Sequence, residues 1–318
     1  MKVLFTYDVE LSPRRYRAAP DRIEDNIGGS YYGGAKGQWG LLDQLRLFNR
    51  HGMTAICFVE ALSSLVVGDA HLRRICGEIQ QLGHEVQMHL HPEWLLQSDE
   101  PGLRELAGQA MADLSLEQQI RLMETGLAAL HRAGATGVSA HRAGGFLANR
   151  DTLRAAHAVG LRFESSYNAD FLGKGCNIAL DAVQIAPTTI EGVWSFPVSN
   201  VMTSSGRWRH MQLCAVSNSE VQAGLERLAE AGADYATLVS HSFELISRDR
   251  SKPNPVLVRR FCSMLDSFAP DPDIAVIGFD DINTSDIDGS VWNRKLAAIG
   301  ALPTLRRHAE QVVSRFYE

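Results

Sequence analysis

Two short strings of this 318-residue sequence set metal-competent side chains two residues apart: Asp8-Val9-Glu10 closes an opening apolar run, and His89-Leu90-His91 closes a later one. In an extended strand residues i and i+2 share a face, so each string aims both polar side chains at one place while Val9 or Leu90 faces the other layer. Two neutral imidazoles make half of a tetrahedral zinc site or part of an octahedral one. Asp8 and Glu10 offer the hard oxygen such a pair needs, and the spacing leaves open which carboxylate binds a metal and which acts as a base. The ordinary alternative for this acidic pair is an ion pair with Arg14 or Arg15. Arg142 precedes Ala143-Gly144-Gly145, where glycine lets backbone approach a ligand closely and the guanidinium can grip a carboxylate bidentately. His241 follows a late apolar run, Ala236-Thr237-Leu238-Val239-Ser240.

These six residues need a scaffold that brings strand ends together. Hydrophobic periodicity predicts strands over 3–7, 54–59, 85–90, 137–140, 162–166, 193–198, 211–216, 236–240 and 274–278. Between them, helical spacing predicts helices over 39–50, 72–82, 116–132, 151–159 (with Asp151 as N-cap), 220–231, 255–268 and 305–316. The alternation argues for a parallel α/β sheet or barrel, in which the C-terminal strand ends form the active-site rim. Asp8, Glu10, His89, His91, Arg142 and His241 all fall at or just past such ends.

Composition narrows the class. Hydrophobic residues are 45% and charged residues 21% of the chain, a globular balance, and the net charge of −6 gives no electrostatic footprint for nucleic acid or anionic membrane. Five scattered cysteines with no CxxC predict neither a disulfide framework nor a thiolate metal site. No stretch approaches a membrane span, and Met1 runs within seven residues into Asp8, so a cytoplasmic protein without a leader is expected. Absence of repeats or low-complexity linkers favours one domain over residues 1–318. His51, His71, His84, His131, His157, His210 and His308 lack a partner at ligand spacing and read as structural.

The order of the strings resembles the polysaccharide deacetylase family, also called the NodB-homology family or carbohydrate esterase family 4. Its pattern of Thr-Phe-Asp-Asp-Gly, a Gly-His-Glu strand leading to a histidine pair, Arg-x-Pro and a late Leu-x-His has clear counterparts here. They are Thr6-Tyr7-Asp8-Val9-Glu10, Gly83-His84-Glu85 through His89-Leu90-His91-Pro92, Arg142-Ala143-Gly144 and Leu238-Val239-Ser240-His241. Val9 replaces the usual second aspartate, with Glu10 one residue later. The histidines are spaced by one residue instead of three, and Gly144 replaces the proline. These departures are similar to the WalW-like branch, which carries a DxE string and a histidine pair before Pro-Glu-Trp.

The resemblance implies an incomplete (β/α) barrel of about seven strands. It implies a divalent metal, with Zn2+ the leading candidate, held by His89, His91 and a carboxylate, Glu10 before Asp8. Asp8 would be the base, Arg142 its support and His241 the general acid, on an N-acetylated sugar of a glycan or glycan precursor that yields acetate and a free amine. The rival readings are hydrolysis of another C–N amide bond of the ureide type and a non-catalytic glycan-binding relative. Tyr31, Tyr32, Trp94 and Tyr167 are candidate sugar platforms, with loop packing as the equal alternative.

Overall fold

Strand β1 (Lys2–Val9) is buried along nearly its whole length, as expected of a central parallel strand covered on both faces. The structure is a computed structural model that describes residues 1–10, 12–20, 39–247 and 252–317, so Tyr31 and Tyr32 lie outside the described residues. The other strands are β2 (Ile56–Glu60), β3 (Glu85–Leu90), β4 (Ala140–Ala143), β5 (Phe163–Glu164), β6 (Thr188–Ile190), β7 (Val193–Ser195), β8 (Asn200–Met202), β9 (Trp208–His210), β10 (Tyr235–His241) and β11 (Ala275–Val276). The main sheet runs β10-β1-β2-β3-β4-β5-β7-β6, with β11 beside the start of β1. Every pairing in it is parallel except β6 with β7.

The sheet curls into the expected incomplete (β/α) barrel. An irregular segment after β7 spans the gap: Val198 N–H donates to the Tyr167 carbonyl at 2.8 Å on one side, and Ser199 N–H to the Thr237 carbonyl of β10 at 3.0 Å on the other. Alternation along the strands divides the buried residues into two sets. Leu4, Ile56, Phe58, Ala140, Phe163, Phe196 and Phe279 fill the barrel interior, whereas Val3, Phe5, Tyr7, Cys57, Val86 and Met88 pack against the outer helices. Phe279 stacks on Phe163 at 4.8 Å and meets Phe58 and Phe196 edge-on, closing the barrel floor below the rim.

Three expectations shift. The strand anticipated at 137–140 is β4, Ala140–Ala143, so Arg142 is a strand residue facing inward, not a loop residue past the strand. Residues 211–216 are no strand: Gln212 makes an isolated bridge to Val239, and the chain then turns because Ser217 caps the helix Asn218–Glu230 through the Glu220 N–H. Asn149, not Asp151, caps the helix Arg150–Ala158 by accepting from the Thr152 N–H. Among the described residues, no helix is long and apolar enough to cross a membrane.

Candidate active site

The interior-facing alternation that fills the floor continues upward into polar side chains. Leu4, Thr6 and Asp8 lie on one face of β1, Ile56, Phe58 and Glu60 on one face of β2, and Val239 and His241 at the top of β10. All six sequence candidates converge at this rim. The Glu10 Oε1 atom lies 3.2 Å from His89 Nε2, 3.5 Å from His91 Nε2 and 3.6 Å from His241 Nε2. Asp8 and His241 are register partners on adjacent strands, and Asp8 Oδ1 accepts from Arg142 Nη1 at 2.7 Å. The expected alternative for Asp8, a pairing with Arg14 or Arg15, is replaced by this buried pair.

Glu10 belongs to two sets of ligand atoms, each within 4.8 Å of one another: one with His89 and His91, the other with Asp8 and His241. Among the described residues no such set joins His241 or Asp8 to the histidine pair. Glu10 therefore stands between the two imidazoles at the end of β3, His89 in the strand and His91 just past it, and an acid-base couple formed by β1 and β10. Two imidazoles and a carboxylate at this separation are a donor set that suits a divalent transition-metal ion. An imidazole Nε2 facing a carboxylate oxygen also requires a positive charge between them, either a proton or a cation shared by both.

Each imidazole is anchored through its other nitrogen. His89 Nδ1 meets the Arg142 carbonyl at 2.8 Å, His91 Nδ1 meets Glu60 Oε2 at 2.7 Å, and His241 Nδ1 meets Glu244 Oε1 at 2.7 Å. In a neutral ring such a contact puts the proton on Nδ1 and leaves the Nε2 lone pair free for a cation, as ligation by His89 and His91 requires, whereas a charged His241 carries a proton on Nε2 as well. Glu244 is further held by the Cys214 N–H at 3.1 Å and by Gln212 Nε2, and Gln212 Oε1 accepts from His210 Nε2 at 2.7 Å. His210, read from sequence as structural, thus belongs to a hydrogen-bonded chain behind His241 that runs on to Asp170, whose Oδ2 lies 3.0 Å from His210 Nδ1. Glu60 and Glu244 escaped sequence reasoning: Glu60 closes an apolar strand and Glu244 follows His241 by three residues, but neither position shows which imidazole nitrogen the carboxylate meets.

Arg142 is fully buried. Its Nη1 donates to Thr6 Oγ1 at 2.8 Å as well as to Asp8, its Nε and Nη2 donate to the Ser165 carbonyl and hydroxyl, and its guanidinium lies 4.2 Å above the Phe58 ring.

Burial alone would raise the Glu10 carboxyl, yet the charge of His91 and the His89 hydrogen bond outweigh it and hold Glu10 well below the usual carboxylate range. Burial likewise opposes charge on His91, but Glu10 and Glu60 push it up to about 10. His241 is raised to about 9, with Glu244 and Glu10 overcoming burial. A cation taken up by Glu10, His89 and His91 must then displace the His91 proton at neutral pH, while Glu10 has none to lose. Were zinc the ion held there, its affinity would rise about tenfold per pH unit between pH 6.5 and 8.5, with about one proton released per ion in calorimetry across buffers of different ionisation enthalpy. Affinity independent of pH over that range would contradict this electrostatic picture.

Gly144 shapes the same site. A Cβ there would meet His91 Cδ2 at 2.3 Å and Nε2 at 2.5 Å, so the imidazole occupies the space that any side chain at this position would need. Gly144→Ala is expected to displace His91 and weaken zinc binding at least about tenfold, with an unchanged far-ultraviolet circular dichroism spectrum. Equal affinity in chelator competition would show that the ring has room to move. The aromatic candidates fare differently. Trp94 is fully buried against Tyr16, and the buried Tyr167 hydroxyl accepts from the Gln184 N–H at 3.1 Å, so both are packing residues and not platforms.

No family model matches this sequence, and no curated protein matches it. Solved structures do. A Mycobacterium smegmatis protein with a provisional polysaccharide deacetylase assignment aligns over 94% of both chains at 16% identity, with a TM-score of 0.58. A family 4 carbohydrate esterase from Streptomyces lividans, solved with acetate, aligns over 94% of this chain and 98% of its own at 12% identity and a TM-score of 0.43. A 4-alpha-glucanotransferase from Thermococcus litoralis aligns over 88% of this chain and 39% of its own at 8% identity and a TM-score of 0.51. The chain has the incomplete-barrel fold of the Mycobacterium protein. The glucanotransferase has a comparable fold, so chemistry must be argued from side chains and not from the barrel.

Proposed function

We propose that this chain is a metal-dependent hydrolase that removes the acetyl group from an N-acetylated sugar of a glycan or glycan precursor, working as one catalytic domain. The observation that carries the reading is the placement of Glu10 between His89 and His91 on one side and the Asp8–His241 couple on the other. Glu10, His89 and His91 would hold the ion, with Zn2+ the best fit to two imidazoles and a carboxylate. A bound divalent ion would supply Lewis-acid polarisation of the amide oxygen and of the attacking water.

The chain's own groups would carry the protons. Asp8, oriented through Oδ1 by Arg142, takes a proton from the water as its oxygen attacks the acetyl carbon. His241 gives its Nε2 proton to the sugar nitrogen as the C–N bond breaks, and Glu244 at Nδ1 steadies the charged ring before that transfer and its tautomer after it. Acetate and a free amino sugar leave. The order of motifs, which follows the polysaccharide deacetylase pattern, supports the sugar amide over other amides.

Acetate release from N-acetylhexosamine conjugates, measured with zinc-loaded and chelator-stripped protein, tests the reading. The expected result is acetate from the loaded protein only. Cleavage of a ureide but of no N-acetyl sugar would move the activity to another amide. A loaded protein inert on both would leave a binding role.

A further inference from the structure

The site leaves one buried carboxylate without a part in the reaction. Glu60 ends β2, its side chain is 1% exposed, and among the described residues His91 is its only ion-pair partner. An ionised carboxylate withdrawn from water is costly unless compensated, so a local fold alone does not explain it. Its two oxygens are divided. Oε1 accepts from the Leu62 N–H at 2.8 Å, a contact two residues away that holds the carboxylate whatever His91 does, and Oε2 faces His91 Nδ1 at 2.7 Å. Glu60 is also the register partner of His89, so β2 sets it directly beside the histidine pair. The two imidazoles differ in this respect, because His89 Nδ1 meets only a neutral carbonyl, that of Arg142. On its opposite side the His91 ring fills the space that a side chain at Gly144 would need.

We infer that Glu60 is a positioning residue that locks His91 in the Nδ1–H form, aims its Nε2 lone pair at Glu10 and supplies the negative charge that makes His91 the stronger of the two imidazole donors. The inference rests on the metal reading above and adds an outer carboxylate to it. Carboxylates behind ligating imidazoles raise donor basicity and fix ring orientation, and their loss weakens metal binding about 10- to 100-fold.

The test compares zinc dissociation constants of the wild type, Glu60→Gln and Glu220→Gln by chelator competition, with proton-nitrogen two-bond spectra of the zinc-loaded wild type. Glu60→Gln should bind zinc about 10- to 100-fold more weakly, and Glu220→Gln, which removes an equally buried carboxylate paired with Arg307 away from the site, should bind as the wild type does. His91 should be protonated at Nδ1 and not at Nε2. A wild type that binds zinc while Glu60→Gln binds equally well overturns the inference and leaves the metal reading intact. His91 protonated at Nε2 overturns it even where Glu60→Gln does not fold. A wild type that binds no zinc overturns the metal reading itself.

Discussion

Asp8→Asn is expected to keep its divalent ion while turnover falls by about 10²- to 10⁴-fold, the range lost when a positioned general base is removed. The separation of the two effects follows from geometry. Asp8 shares a ligand-distance set with Glu10 and His241 but not with His89 and His91, so the histidine pair and Glu10 survive the change. Asparagine keeps the shape and can still meet Arg142, but its amide cannot take a proton from water. Stopped acetate assays with metal analysis of the same samples decide the matter. Loss of the ion along with activity would make Asp8 the metal carboxylate and Glu10 the base.

Arg142→Ala should be the most destabilising change at the rim, at about 3–5 kcal/mol, because it strands a buried carboxylate without its partner. Arg142 is fully buried, the Asp8 side chain is 4% exposed, and the guanidinium also serves Thr6, Ser165 and the Phe58 face. Adding Asp8→Asn should recover part of the loss, since the stranded charge is then gone. Urea unfolding of the two single variants and the double variant measures this coupling. Strict additivity would mean that Arg142 acts through packing alone and not by holding Asp8.

The strings that defined the rim were readable because strand alternation is rigid: Asp8 with Glu10 and His89 with His91 each had to share a face. Strand and helix alternation argued for a parallel α/β sheet or barrel, the incomplete barrel came only with the family resemblance, and the helices Leu116–Arg132 and Pro255–Phe268 have their expected limits. Arg142 was legible as a site candidate, but not its place inside β4, since the preceding Gly137-Val138-Ser139 run has the apolar look of a strand although the ladder starts only at Ala140. The run at 211–216 misled for the opposite reason. Met211, Leu213 and Val216 are buried as a strand's residues would be, yet only Gln212 pairs with β10. Glu60 and Glu244 were hidden because their importance lies in which imidazole nitrogen they touch, a contact between chain segments that spacing does not encode. Trp94 stayed open between platform and packing, because proximity in sequence to His91 says nothing about which way the following turn points its indole.

On the proposed reading Glu10, His89 and His91 together hold one cation. Elemental analysis of the wild type and His89→Ala, both dialysed exhaustively after zinc loading, decides whether they do. About one zinc per chain in the wild type and almost none in the variant is the predicted result. A wild type free of zinc, or a His89→Ala protein that retains as much as the wild type, would contradict it.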